Sequence, residues 1–207
     1  MPLSNVVVED SGSHRRERTV GYVAIACGVV QAVVFVAAVA GKARDAEAFR
    51  AFARSLVETR LVAPRWRTGV ATGVILAEVS AVLLLATPGA AAPGFAVAAA
   101  LCAVLTGGVA ATLLRRVRAS CLCFGARSSP MGWPHLVRNA LLTAVAVLGH
   151  AAVTVAAVPS AIRVEGAAVA VLAGLAGALL LIRFDDLVHI FQPPGSPAGP
   201  PDRSVLR

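Results

Sequence analysis

Charge is scarce in this chain. Asp, Glu, Lys and Arg make up 14% of its 207 residues, against about 25% in soluble domains, and 57% of the chain is hydrophobic. A soluble domain has no use for so much apolar surface, so a water-soluble globule is excluded in favour of a one-domain, multi-span membrane protein. Lysine is nearly missing: Lys42 is the only one among the basic residues, a bias read as genome composition rather than chemistry. The net charge of +8 does not point to nucleic acid. The arginines gather in loops beside apolar segments, where they meet lipid headgroups and orient the spans. Cysteine occurs four times. Cys27 and Cys102 lie inside apolar segments and read as small buried hydrophobes. No second close Cys/His pair accompanies Cys121 and Cys123, and His135 is the only loop histidine near them, so a metal centre is short of ligands.

What the chain does have is apolar runs of bilayer length. They cover about 20–40, 68–87, 93–114, 136–158 and 164–182, each close to the ~20 residues a helix needs to cross the hydrocarbon. Backbone groups in lipid must be paired internally, which makes these runs helices rather than strands. The expected fold is all-α: a membrane helix bundle of about five transmembrane helices plus an interfacial helix. The membrane domain spans 19–192, between a polar tail over 1–18 and a Pro/Gly-rich tail over 193–207, both read as disordered. Ala38-Val39-Ala40 before Gly41 resembles a signal-peptidase site. The run before it is longer than the ~7–15 residues of a signal h-region, so it is read as a retained span.

Residues 42–67 carry Lys42 and six arginines, with Ala48, Phe49, Phe52, Ala53 and Leu56 at helical spacing; this reads as an amphipathic helix on the interface or a solvated helical loop. Gly166, Ala170, Gly174 and Ala178 are four apart, a small-residue face that lets helices approach closely. Arg183 to Gln192 reads as a short interfacial helix.

The chemistry-bearing stretch is Cys121-Leu122-Cys123-Phe124-Gly125, in a short basic loop between two spans. Three readings stay open for it: thiol–disulfide exchange, a soft-metal site, or an inert loop. Exchange is preferred. A disulfide closed across one residue is strained and therefore reducible. Arg115, Arg116, Arg118 and Arg127 flank the pair, and positive charge favours the thiolate. Gly125 lets the backbone turn tightly, and Phe124 could seat the loop in the interface. Glu78 is the second feature. It lies near the middle of the second span, where a carboxylate is costly and faces the bundle interior, as a proton relay or as a polar lock between helices. Asn139, Thr143, His150 and Thr154 fall near one stripe of the fourth span, and Cys27, Gln31 and Lys42 are roughly aligned on the first. Such stripes face other helices, and His150 reads as a satisfied interior histidine rather than a ligand.

Taken in order, Gly41-Lys42, Phe49 and Phe52, Pro64, Glu78, the Cys-x-Cys-Phe-Gly run and Arg138-Asn139 opening the fourth span resemble the methylamine utilisation protein MauE family, which is related to DoxX-like membrane proteins. The resemblance covers about residues 20–158. It implies an integral membrane protein that helps mature the small, disulfide-rich subunit of methylamine dehydrogenase in methylamine metabolism. It also implies disulfide formation or transport with a thioredoxin-like partner. On that basis Cys121 and Cys123 are the expected redox pair of a thiol–disulfide oxidoreductase, supported by Arg118, Phe124, Gly125, Arg138 and Asn139. The alternative is a transport or assembly scaffold with structural cysteines. No cofactor motif stands out, and a quinone acceptor finds no support.

The expected location is the bacterial plasma membrane, multi-pass, with the lipid bilayer as the constant partner. Five spans put the 41–67 loop, the cysteine loop and the C-terminus on one side, with fifteen of the 19 basic residues. The positive-inside rule places that side in the cytoplasm, whereas disulfide chemistry argues for outside because cytoplasmic thiols are held reduced. The sequence reading leans to the outside.

Overall fold

The computed structural model describes residues 4–117, 120–121, 129–130, 132–155, 162–184 and 187–188; side chains are described from residue 15 onward, the four strand residues excepted. Six α-helices dominate it: α1 (Ser4–Ala43), α2 (Ala46–Glu58), α3 (Arg67–Ala86, entered through a single 3-10 turn, Pro64–Trp66), α4 (Ala91–Leu114), α5 (Trp133–Val155) and α6 (Val164–Ile182). Five of these are long and apolar enough to cross a membrane, over Arg15–Ala43, Pro64–Ala86, Ala91–Leu114, Trp133–Val155 and Val164–Ile182. Each expected span falls on one of them. The one departure at this level is the N-terminal stretch. The polar tail read as disordered is helical from Ser4. No proline interrupts the chain between Ser4 and Ala43, and extending a helix already nucleated by its apolar part costs far less than starting one. The C-terminal tail and, of the expected 183–192 helix, residues 185–186 and 189–192 lie outside the described residues.

The spans pack as a ring. α1 contacts α3 and α5, α4 contacts the same two, and α6 lies outside the ring against α1. Val30, Val34, Phe35, Ala81, Ala98, Cys102, Leu142 and Ala146 fill the ring, and Ala178 of α6 joins their cluster. The small-residue face of α6 is what brings it close. Ala170, Gly174 and Ala178 are buried. A Cβ on Gly174 would sit 2.8 Å from the Ala26 carbonyl, and one on Gly166 would sit 2.3 Å from the Tyr22 ring. Between α3 and α4 the chain reverses within four residues. Gly89 takes φ +79° after Pro88, the left-handed region that glycine reaches without steric cost, and the Ala90 N–H bonds the Thr87 carbonyl at 3.1 Å.

α2 begins on a side-chain cap: the Asp45 carboxylate accepts from the Ala48 N–H at 2.7 Å. That bond, aided by neighbouring Arg44, holds the Asp45 carboxyl below its usual range. The apolar stripe of α2 is real, but it faces protein. Phe52 and Ala53 are buried against Ala71 of α3, with Phe49, Leu56 and Val74 packed around them.

Candidate functional site

Between α4 and α5 the chain forms a hairpin. Two-residue strands β1 (Ser120–Cys121) and β2 (Ser129–Pro130) pair antiparallel, Ser120 opposite Pro130 and Cys121 opposite Ser129. Cys121 is therefore held at the base of the hairpin by its backbone, and β1 lies against α2. The Cys121 side chain, and Arg118, Cys123, Phe124, Gly125 and Arg127 altogether, lie outside the described residues. At the foot of the hairpin, exposed Arg115 and Arg116 line a cleft of about 470 Å³ with Arg60, Glu58, Val57 and Val117. Arg116 has φ 52°, a left-handed residue that ends α4 and turns the chain toward β1.

The hairpin sits over the polar end of the bundle. The end of α1, the start of α3, the end of α4 and the start of α5 all lie there by connectivity, and so do most of the buried polar side chains. Lys42 is in the last turn of α1, Thr112 in the last turn of α4, and His135, Arg138 and Asn139 in the first two turns of α5; all are buried, as are Ser55 of α2 and Thr59 just after it. Arg138 and Asn139, singled out from the sequence, are thus interior groups directly below the loop. Farther from the hairpin, Cys27, Val30, Phe95, Ala98, Ala146 and Ala152 are buried and apolar or thiol, with the buried polar side chains of Gln31 and Glu78 near mid-span.

Glu78 faces the interior, with 2% of its side chain exposed, and its partner is Lys42: Lys42 Nζ donates to Glu78 Oε1. The same ammonium lies 5.0 Å from the centroid of the Phe52 ring, a cation–π distance. A contact path therefore runs from the middle of α3 through Lys42 and Phe52 to α2, and from α2 to the strand that carries Cys121. Among the described residues, Glu78 Oε2 and Gln31 Oε1 are buried without a hydrogen bond, while Gln31 Nε2 donates to the Leu142 carbonyl at 2.7 Å. The pairing of Lys42 with Glu78 is what the sequence reading missed. Its signals were the place of Lys42 eleven residues beyond Gln31, three helical turns along one face, and that residue's being the only lysine.

The polar stripe of α5 is only partly interior. Asn139 is buried, Thr143 Oγ1 lies 3.4 Å from Thr106 Oγ1, and Thr154 is exposed. His150 Nδ1 lies 3.1 Å from the Ala92 carbonyl, an interior histidine with a partner. Among the described residues no three His, Cys, Asp or Glu side chains gather as a metal site would require.

No curated protein and no solved structure matches the chain. The sequence pattern of methylamine utilisation protein MauE does match it, over residues 20–152, from the first span through the cysteine hairpin to the last turn of α5. With five membrane-capable helices in an all-α bundle and that match over more than half its length, this chain belongs to the MauE family.

Proposed function

We propose that this multi-pass membrane protein carries out thiol–disulfide exchange through Cys121 and Cys123, serving the maturation of exported proteins together with a thioredoxin-like partner. The observation that carries the reading is the hairpin: a backbone ladder holds Cys121 at the foot of a basic loop, against α2. In the exchange, one cysteine thiolate attacks a sulfur of the partner's disulfide, forming a mixed disulfide and expelling the partner's other thiolate. The second cysteine then attacks the mixed disulfide. The partner leaves as a dithiol and Cys121–Cys123 becomes a disulfide, two electrons having passed to the partner. The reverse sequence oxidises the partner. Arg115 and Arg116 beside the hairpin favour the thiolate, and Glu78 with Lys42 acts as a polar lock between the spans. The substrate class implied by the family is a disulfide-rich exported subunit such as that of methylamine dehydrogenase.

A transport or assembly scaffold is the second reading, and the buried Lys42, Gln31 and Glu78 side chains between the spans favour it. Trapping separates the two. Cys121→Ser and Cys123→Ser, made separately and acid-quenched, are run on non-reducing gels. One of them should accumulate a reductant-sensitive higher-mass species containing a thioredoxin-like protein, and both should lose function while Cys27→Ser and Cys102→Ser keep it. If neither traps a partner and both complement a deletion, the exchange reading fails and the scaffold takes its place.

A further inference from the structure

A basic cleft on another part of the surface has no role in the exchange reading. It lies between α2 and the first turn of α3, has a volume of about 460 Å³, and is lined by Arg50, Arg54, Arg67 and Thr68 with Glu47 and Phe49. We propose that this cleft binds the headgroup of an anionic phospholipid, its phosphate held by the three guanidiniums and the Thr68 hydroxyl.

Four observations support it. Arg50 and Arg54 are one turn apart on α2, on the same side of the helix, and Arg67 meets them across the cleft. Three cations therefore face the single carboxylate of Glu47. Among the described residues none of the three arginines makes a salt bridge, and Glu47 is the one carboxylate lining the cleft with them. The cleft stands at the start of α3, whose first turn has no side-chain cap, and the partial positive charge of that helix end adds to the field. Its depth is that of headgroups: Trp66, the residue before α3, is 61% exposed, and exposed tryptophan at the end of a span marks the membrane–water boundary.

The surface continuing from the cleft selects a lipid over a free anion. Along α3 below the cleft, Leu76 and Leu83 are exposed and seven residues apart, an apolar stripe on which acyl chains can lie below a bound headgroup. Arginine suits the task because its planar fork matches phosphate oxygens in pairs. Basic pockets beside membrane helices take anionic headgroups by the same chemistry.

The test uses the full-length protein in nanodiscs of phosphatidylcholine with or without phosphatidylglycerol, the lipid carried by the protein being counted by native mass spectrometry. The wild type should retain phosphatidylglycerol in preference to phosphatidylcholine. Each of Arg50→Gln, Arg54→Gln and Arg67→Gln should weaken that preference roughly fivefold, the equivalent of about 1 kcal/mol per arginine at a membrane surface. The triple Gln variant should lose it. The triple Lys variant, which keeps the charge and controls for folding, should retain most of it. Arg163→Gln, at the opposite end of the bundle, should leave it unchanged. Equal retention by the wild type and by the single and triple Gln variants would overturn the proposal. So would displacement of the lipid by inorganic phosphate, which would reassign the cleft to a free anion.

Discussion

At the scale of single residues, the most instructive one is Lys42. Eighteen of the 19 basic residues are arginines, and the one lysine is buried, with 2% of its side chain exposed. Lysine carries a compact ammonium on a flexible stem, whereas arginine presents a broad planar fork. Here the single ammonium meets both an oxygen of Glu78 and the face of Phe52. A buried pair of this kind is weak evidence for stability as a pair, because desolvation offsets much of the attraction. Removing one partner is another matter, since it strands a charge at a cost of about 3–5 kcal/mol. Glu78→Met and Lys42→Met should each lower the thermal melting point of the detergent-solubilised protein strongly, and the double variant should recover most of the loss. Single variants that melt like the wild type would remove the lock. Glu78 was legible from sequence because a carboxylate in mid-span announces itself. Its partner was not, because residues 36 apart meet only once the rotation of two helices about their axes is known.

At the scale of elements, the spans were readable to within a few residues because length and hydropathy alone define them. The apolar stripe of α2 was readable too, but what it covers was not: spacing cannot distinguish a face turned to lipid from one packed on Ala71 and Val74. The α6 face was the reverse case. Its small residues suggested a close approach, and α1 supplies it. Gly174→Ala places a methyl 2.8 Å from the backbone oxygen of Ala26, an atom that cannot swing away, so a loss of about 1–3 kcal/mol is expected from overpacking. Gly107→Ala on α4 meets nothing within 4 Å and should leave stability unchanged or slightly raised. Thermal melting of the two variants side by side decides the point; similar melting points would mean that α6 does not depend on this contact. The candidate site was legible as a motif and not as a place. Sequence could not tell that the base of the hairpin pairs over two residues or that it rests on α2.

At the scale of the whole molecule, a five-span reading of the sequence puts fifteen basic residues on the side of the hairpin, which on charge alone would be the cytoplasm. The lipid cleft bears on that count. Arginines that hold a headgroup can do so in either leaflet, and Arg50, Arg54 and Arg67 then say little about orientation. The expected outcome follows the chemistry: in intact cells first treated with a membrane-impermeant reductant, a membrane-impermeant maleimide should label the hairpin thiols, while buried Cys27 and Cys102 stay unlabelled. Labelling only after permeabilisation would place the pair in the cytoplasm. Whichever side it is, the unequal filling of the bundle has an electrical consequence. A transmembrane voltage falls mainly across the material that polarises least, here the half packed with Val30, Phe95, Ala98, Ala146 and Ala152. The end holding Lys42, Arg138 and Asn139 then sits near the potential of the hairpin's own compartment. Moving a charge across the full field is worth about 2.3 kcal/mol per 100 mV. A proton passing between the hairpin and the Lys42 end of the bundle would feel only a small part of that, so events at the two places can be coupled with little dependence on the membrane potential.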